Sequence, residues 1–77
     1  MRIIATIEAR MTSTRLPGKV MLPVLGKPIL HYLVERLKKV PSIDDIVLAT
    51  TTNETDNILV DFAKKEDIKC FRGSEDD

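Results

Sequence analysis

The stretch A-R-M-T-S-T-R-L-P-G-K at residues 9–19 concentrates three cations, Arg10, Arg15 and Lys19, with three hydroxyls, Thr12, Ser13 and Thr14. No acid occurs between Ala9 and Val34. Such a set suits a polyanion. Each arginine offers a planar fork to phosphate oxygens, and the lysine offers a point charge. The hydroxyls can donate, and Pro17-Gly18 makes a turn in which glycine adopts φ > 0 and presents backbone N–H groups. A hydrogen bond to a charged group contributes roughly 1.5–3 kcal/mol, so two or three on a triphosphate give useful binding. The bland alternative is a solvated basic loop.

Known phosphate loops do not fit. A Walker A motif needs glycine five residues before Gly18, where Ser13 stands, and Ser or Thr after Lys19, where Val20 stands. The dinucleotide fingerprint G-x-G-x-x-G is absent. The loop is either a phosphate loop of another kind or a basic surface.

The elements around it must place it. Arg2–Ile7 reads as a short strand, apolar on both faces and so covered on both sides, as in a parallel sheet. Met21–Leu25 is a short apolar piece ended by Gly26. Pro28 is expected at the first helical position, and Ile29, Leu30, Leu33, Val34 and Leu37 recur at helical spacing to about Lys39. Ile46–Thr50 reads as a second buried strand. Asn53 and Asp56 open a second helix in the manner of a capping box, with Ile58, Leu59, Phe62 and Ala63 as its apolar face. Ile68–Phe71 is a third strand. The order β-α-β-α-β implies parallel pairing with right-handed crossovers, the first half of a doubly wound α/β fold. In such a sheet ligands bind at the carboxyl ends of strands, where the 9–19 loop leaves the first one.

Composition sets the bounds. Seventy-seven residues make one small domain, and a 43% hydrophobic content is that of a globular chain. Net charge is zero, yet residues 1–43 hold eight Lys/Arg against two acids, and residues 44–77 hold four against ten. That asymmetry points to a local anion site; nucleic-acid domains are usually basic throughout, and no stacking aromatic lies near Arg10–Lys19. Cys70 is the sole cysteine, which excludes an internal disulfide. No run reaches the roughly 18–20 apolar residues of a membrane span, and no signal-peptide pattern opens the chain. A cytoplasmic location is the expectation.

The run A-R-M-T-S-T-R-L-P-G-K, followed by L-G-K-P-I-L at 25–30, D-I-V-L-A-T-T-T-N at 45–53 and F-R-G-S-E-D-D at 71–77, resembles the cytidylyltransferases of the nucleotide-diphospho-sugar transferase superfamily. The spore coat polysaccharide biosynthesis protein F family, kin to acylneuraminate and 3-deoxy-manno-octulosonate cytidylyltransferases, is the nearest likeness. The resemblance covers essentially the whole chain and implies a truncated, Rossmann-like parallel fold, with residues 1–77 as the N-terminal nucleotide-binding portion. It implies transfer of CMP from CTP to a sugar in polysaccharide or cell-envelope biosynthesis. Arg10 and Lys19 match the phosphate-holding positions and are the candidate catalytic cations. Ser13 and Arg15 match neighbouring contacts, and the backbone at Ala9 matches the segment against the base. Many members carry Gln or Pro where this chain has Glu8. Mg²⁺ is implied too, with the family's metal-binding aspartates and sugar pocket lying further along. By the same likeness, this chain alone is not expected to turn over substrate. The alternatives are a non-catalytic module for a nucleotide or sugar phosphate, and transfer to or from another base.

Other residues are weighed singly. Thr50, Thr51 and Thr52 end the second strand on the ligand side; Thr51 is included among the nucleotide contacts, although β-branched residues are ordinary strand material. Lys27 and Arg72 can extend the basic surface. His31 reads as a surface residue, Cys70 as a small buried hydrophobe, and Met11 and Met21 as packing residues. Glu54, Asp56, Asp61, Lys64, Lys65, Glu66 and Asp67 read as a solvated helix face. An exposed sheet edge invites pairing between copies, so a homo-oligomer is an expectation.

Overall fold

The structure, a computed structural model, describes residues 2–12 and 18–73. Its main sheet has three strands, β1 (Ile4–Glu8), β4 (Asp45–Thr51) and β5 (Lys69–Gly73), all parallel and in the order β1-β4-β5. Helix α1 (Ile29–Lys38) joins β1 to β4, and α2 (Asn57–Lys65) joins β4 to β5. Between β1 and α1 lie a 3₁₀ turn, Lys19–Met21, and a small antiparallel pair, β2 (Pro23–Val24) with β3 (Lys27–Pro28). The predicted β-α-β-α-β order is therefore present, with the small hairpin added.

The core explains why these segments take these forms. β4 is central and β-branched or apolar along most of its length, and it buries Ile46 and Leu48. Opposite them α1 brings Leu30 and Val34, and α2 brings Leu59, Phe62 and Ala63. Val34, Leu48 and Leu59 are wholly buried. From β1 only Ile7 joins this cluster, while Ile4 is 51% exposed. The expectation of a first strand covered on both sides is thus corrected. Two crossovers of one hand, stepping from β1 to β4 to β5 in one direction, put both helices on one sheet face. Phe71, in alternation with Cys70, is 63% exposed on the opposite face.

The start of α1 and the apolar faces of both helices are also corrected. Pro28 is extended (φ −60°, ψ 148°) and caps α1 from outside, because it pairs with Pro23 in the hairpin. Ile29 and Leu33 are exposed, so the buried stripe of α1 narrows to Leu30, Val34 and half-buried Leu37. Ile58 on α2 is exposed as well. The helix α2 ends sharply where Asp67 takes φ 57°, and the Ile68 N–H donates back to the Ala63 carbonyl at 3.0 Å.

The hairpin was absent from the sequence reading. Its turn, Leu25-Gly26, has positive φ at both positions (52° and 82°), as a type I′ turn demands. Leucine disfavours that region, so the usual Asn-Gly signal was missing. Tyr32 fixes the hairpin on α1 by donating its hydroxyl to the Val24 carbonyl at 2.5 Å.

Candidate functional site: a basic loop tied at its base

At the carboxyl edge of the sheet the chain leaves β1 under three restraints. The Ala9 N–H donates to the Ala49 carbonyl at 3.0 Å, extending the β1–β4 ladder by one residue. The Met11 N–H donates to Asp56 Oδ1 at 2.7 Å. The Gly18 N–H donates to the Met11 carbonyl at 2.9 Å, so the two ends of the loop meet. Gly18 sits at φ 74°, which suits glycine, and the 3₁₀ turn follows at once, with the Met21 N–H donating to the Gly18 carbonyl at 3.0 Å. Met11 is half-buried against the core, as is Met21, in keeping with packing roles.

Each predicted residue can now be placed. Ala9 continues the ladder, Arg10 is exposed one residue further on, and Lys19 is exposed one residue past the closing glycine. The loop closure brings these three to one base. Ser13 and Arg15 lie outside the described residues. Thr51 belongs to the floor: it is buried, its hydroxyl donates to Asp56 Oδ2, and it accepts from the Asn53 N–H at 3.1 Å. Thr52 is exposed, and Thr50 is buried with no hydrogen-bond partner for its hydroxyl among the described residues. Glu8 and Lys27 are exposed. Arg72 reaches the same end of the sheet, where it donates from Nε to the Thr51 carbonyl at 2.7 Å and from Nη2 to the Asn53 carbonyl at 2.8 Å. It braces the β4–α2 connection.

Asp56 stands at the start of α2 as expected, but it makes no cap hydrogen bond, and the expected solvated position is corrected, since the residue is 0% exposed. It ends a 3₁₀ turn, Glu54–Asp56, and its carboxylate turns inward to join the β1 loop to the β4 loop. A signal existed: Asp56, Leu59 and Ala63 stand at i, i+3 and i+7, so Asp56 falls on the buried stripe. Burial raises its pKa; the hydrogen bonds from Met11 and Thr51 outweigh that, and the pKa lies below its ordinary 3.8. The ionised form therefore favours the fold. Its contribution is complete above pH 3.8 and is lost as pH falls through the lowered folded value. In an acid titration of stability, Asp56→Asn should lack this part of the loss. An identical acid limb in wild type and variant would assign the loss to other carboxylates.

A parallel sheet with crossover helices on one face, and a basic loop tied at its carboxyl edge, makes half of a Rossmann-like α/β domain. Residues 4–77 match the cytidylyltransferase family profile, and the chain belongs to that family. It is 42% identical over 78 residues to the spore coat polysaccharide biosynthesis protein SpsF of Bacillus subtilis, covering 96% of this chain and 32% of that protein. Among solved structures it superposes on a cytidylyltransferase from Leptospira borgpetersenii with a TM-score of 0.86 and 40% identity, over 96% of this chain and 32% of the other. It also superposes on a CMP:2-keto-3-deoxy-manno-octonic acid synthetase complexed with CTP, with a TM-score of 0.77 and 27% identity, over 100% of this chain and 30% of the other. The chain thus spans about a third of the length of these relatives. Among the described residues, no helix is long and apolar enough to cross a membrane.

Proposed function

We propose that residues 1–77 form the nucleotide-binding portion of an enzyme that transfers CMP from CTP to a sugar in polysaccharide or cell-envelope biosynthesis, this chain supplying the triphosphate loop. One observation carries the reading. Exposed Arg10 and Lys19 flank a loop closed at its base and held at the carboxyl edge of a parallel sheet, where such folds bind ligands. The SpsF relative and the solved synthetase with CTP support the same assignment.

In that reaction a sugar oxygen bonds to the α-phosphorus of CTP, the bond to the β-phosphate bridging oxygen breaks, and pyrophosphate leaves. Negative charge grows on the departing phosphates. Arg10 and Lys19 would offset it, and a loop restrained at both ends would hold them in place beforehand. Ser13 and Arg15 would add contacts along the loop, and the Ala9 backbone would border the base. Asp56 would position the loop, and Thr51, whose hydroxyl is tied to Asp56, would add a nucleotide contact at the end of β4.

Mg²⁺ is proposed for the complete enzyme, but the described residues of this loop do not fit its ligand set. Both oxygens of Asp56 are engaged by Met11 and Thr51, and no group of three metal-ligating side chains among the described residues includes a loop member. That observation also favours a second reading for this chain alone, nucleotide binding without turnover.

The test is an amide NMR titration of the chain with CTP and Mg²⁺, with ATP and GTP as controls. Shifts confined to Glu8–Lys19 and Thr50–Asn53, and larger for CTP, are expected. A dispersed spectrum that no nucleotide disturbs would refute nucleotide binding by this portion.

A further inference from the structure

Away from the loop, three side chains on two helices converge. His31 and Glu35 stand four apart on α1 and so share one face of the helix. Glu66 caps the carboxyl end of α2. His31 Nδ1 lies 3.1 Å from Glu66 Oε1 and 2.9 Å from Oε2. A ligand atom from each of the three residues falls within 4.8 Å of the others. The side chains of His31 and Glu66 are only 18% and 15% exposed, and Glu35 is half-buried.

We propose that His31, Glu35 and Glu66 bind a divalent transition-metal ion of the zinc class, clipping α1 to the end of α2. Transition-metal bonds to imidazole nitrogen and carboxylate oxygen are about 2.0–2.2 Å long, which places neighbouring ligand atoms of a tetrahedral site roughly 3.3–3.6 Å apart. His31 and Glu66, at 3.1 and 2.9 Å, stand within a few tenths of an ångström of that spacing. Glu35 completes the set by side-chain rotation on an unchanged helix.

The surroundings fix the ligands. The Tyr32 ring meets the imidazole edge-on, with centroids 5.2 Å apart at 79°. Lys38 Nζ donates to the Glu66 carbonyl at 2.5 Å and anchors the residue that carries the carboxylate. Two carboxylates neutralise a divalent ion, and the imidazole selects zinc, cobalt or nickel over magnesium and calcium, which prefer oxygen alone. The ion binds Nδ1 where that atom now meets Glu66, and the metal-bound imidazole carries its proton on Nε2. Water fills the remaining positions.

The experiment titrates the 77-residue chain with Zn²⁺ by calorimetry and with Co²⁺ by visible absorption, using Mg²⁺ as control. One-to-one zinc binding is expected, with a rise in Tm that Mg²⁺ does not give. Glu35→Gln, His31→Gln and Glu66→Gln should each weaken zinc binding by about tenfold or more. Glu35→Gln keeps the His31–Glu66 contact, so it tests the site even where the other variants fail to fold. Equal zinc affinity in wild type and Glu35→Gln would overturn the proposal. So would an equal Tm rise with Mg²⁺, or an intense thiolate absorption of the Co²⁺ form that Cys70→Ser abolishes.

Discussion

Asp56→Ala should lower the stability of the chain by about 2–4 kcal/mol, read as a fall in the urea midpoint. The carboxylate is fully buried and receives two hydrogen bonds, from the Met11 N–H and the Thr51 hydroxyl. Removing it strands both donors, and each buried group left unsatisfied costs about 1–3 kcal/mol. A hydroxyl can rotate to another acceptor and a backbone N–H cannot, so Met11 carries the larger share. A domain of this length holds on the order of 0.05–0.15 kcal/mol per residue, or roughly 4–12 kcal/mol, so the loss is a large part of the whole. Asp56→Asn should cost about half as much, since its amide oxygen still accepts from Met11. An unchanged midpoint for the alanine variant would show that water or another group replaces the carboxylate at no cost.

Lys19→Ala should weaken CTP binding by about tenfold to a hundredfold and leave the stability read from urea unfolding within about 0.5 kcal/mol of wild type. The two effects separate because Lys19 is exposed, while the structural bond at that position, from the Leu22 N–H to the Lys19 carbonyl at 3.0 Å, uses the backbone. Lys19→Arg should recover part of the affinity, as it keeps the charge but changes its shape. Equal CTP affinity in wild type and Lys19→Ala would remove Lys19 from the site.

The sequence was most legible where one physical rule governed. Strands β4 and β5 and both helices announced themselves by apolar spacing, and the basic loop by an acid-free run beside a strand end. It was least legible where strand pairing or packing overrode single-residue preference. The Leu25-Gly26 turn adopts positive φ because β2 and β3 pair around it, although leucine gives no hint of that. Pro28 looked like a first helical residue and is instead extended in the hairpin, beside the hydrogen bond from the Ile29 N–H to the Leu22 carbonyl. Asp56 carried a helix-cap composition, but its partners, Met11 and Thr51, come from the loop after β1 and the end of β4. His31 gave no sign of Glu66, 35 residues away. For Asp56 and His31 the deciding contact was tertiary.

The order of the strands also bears on how the chain assembles. The contact between Ile3 and Asp44, where β1 meets β4, closes 41 residues, whereas that between Asp45 and Lys69, where β4 meets β5, closes 24. Chain closure over the longer span costs about 0.5 kcal/mol more entropy. The β4-α2-β5 unit, which contains Leu48, Leu59 and Asp56, is therefore the cheaper nucleus, and β1 is expected to dock onto it afterwards.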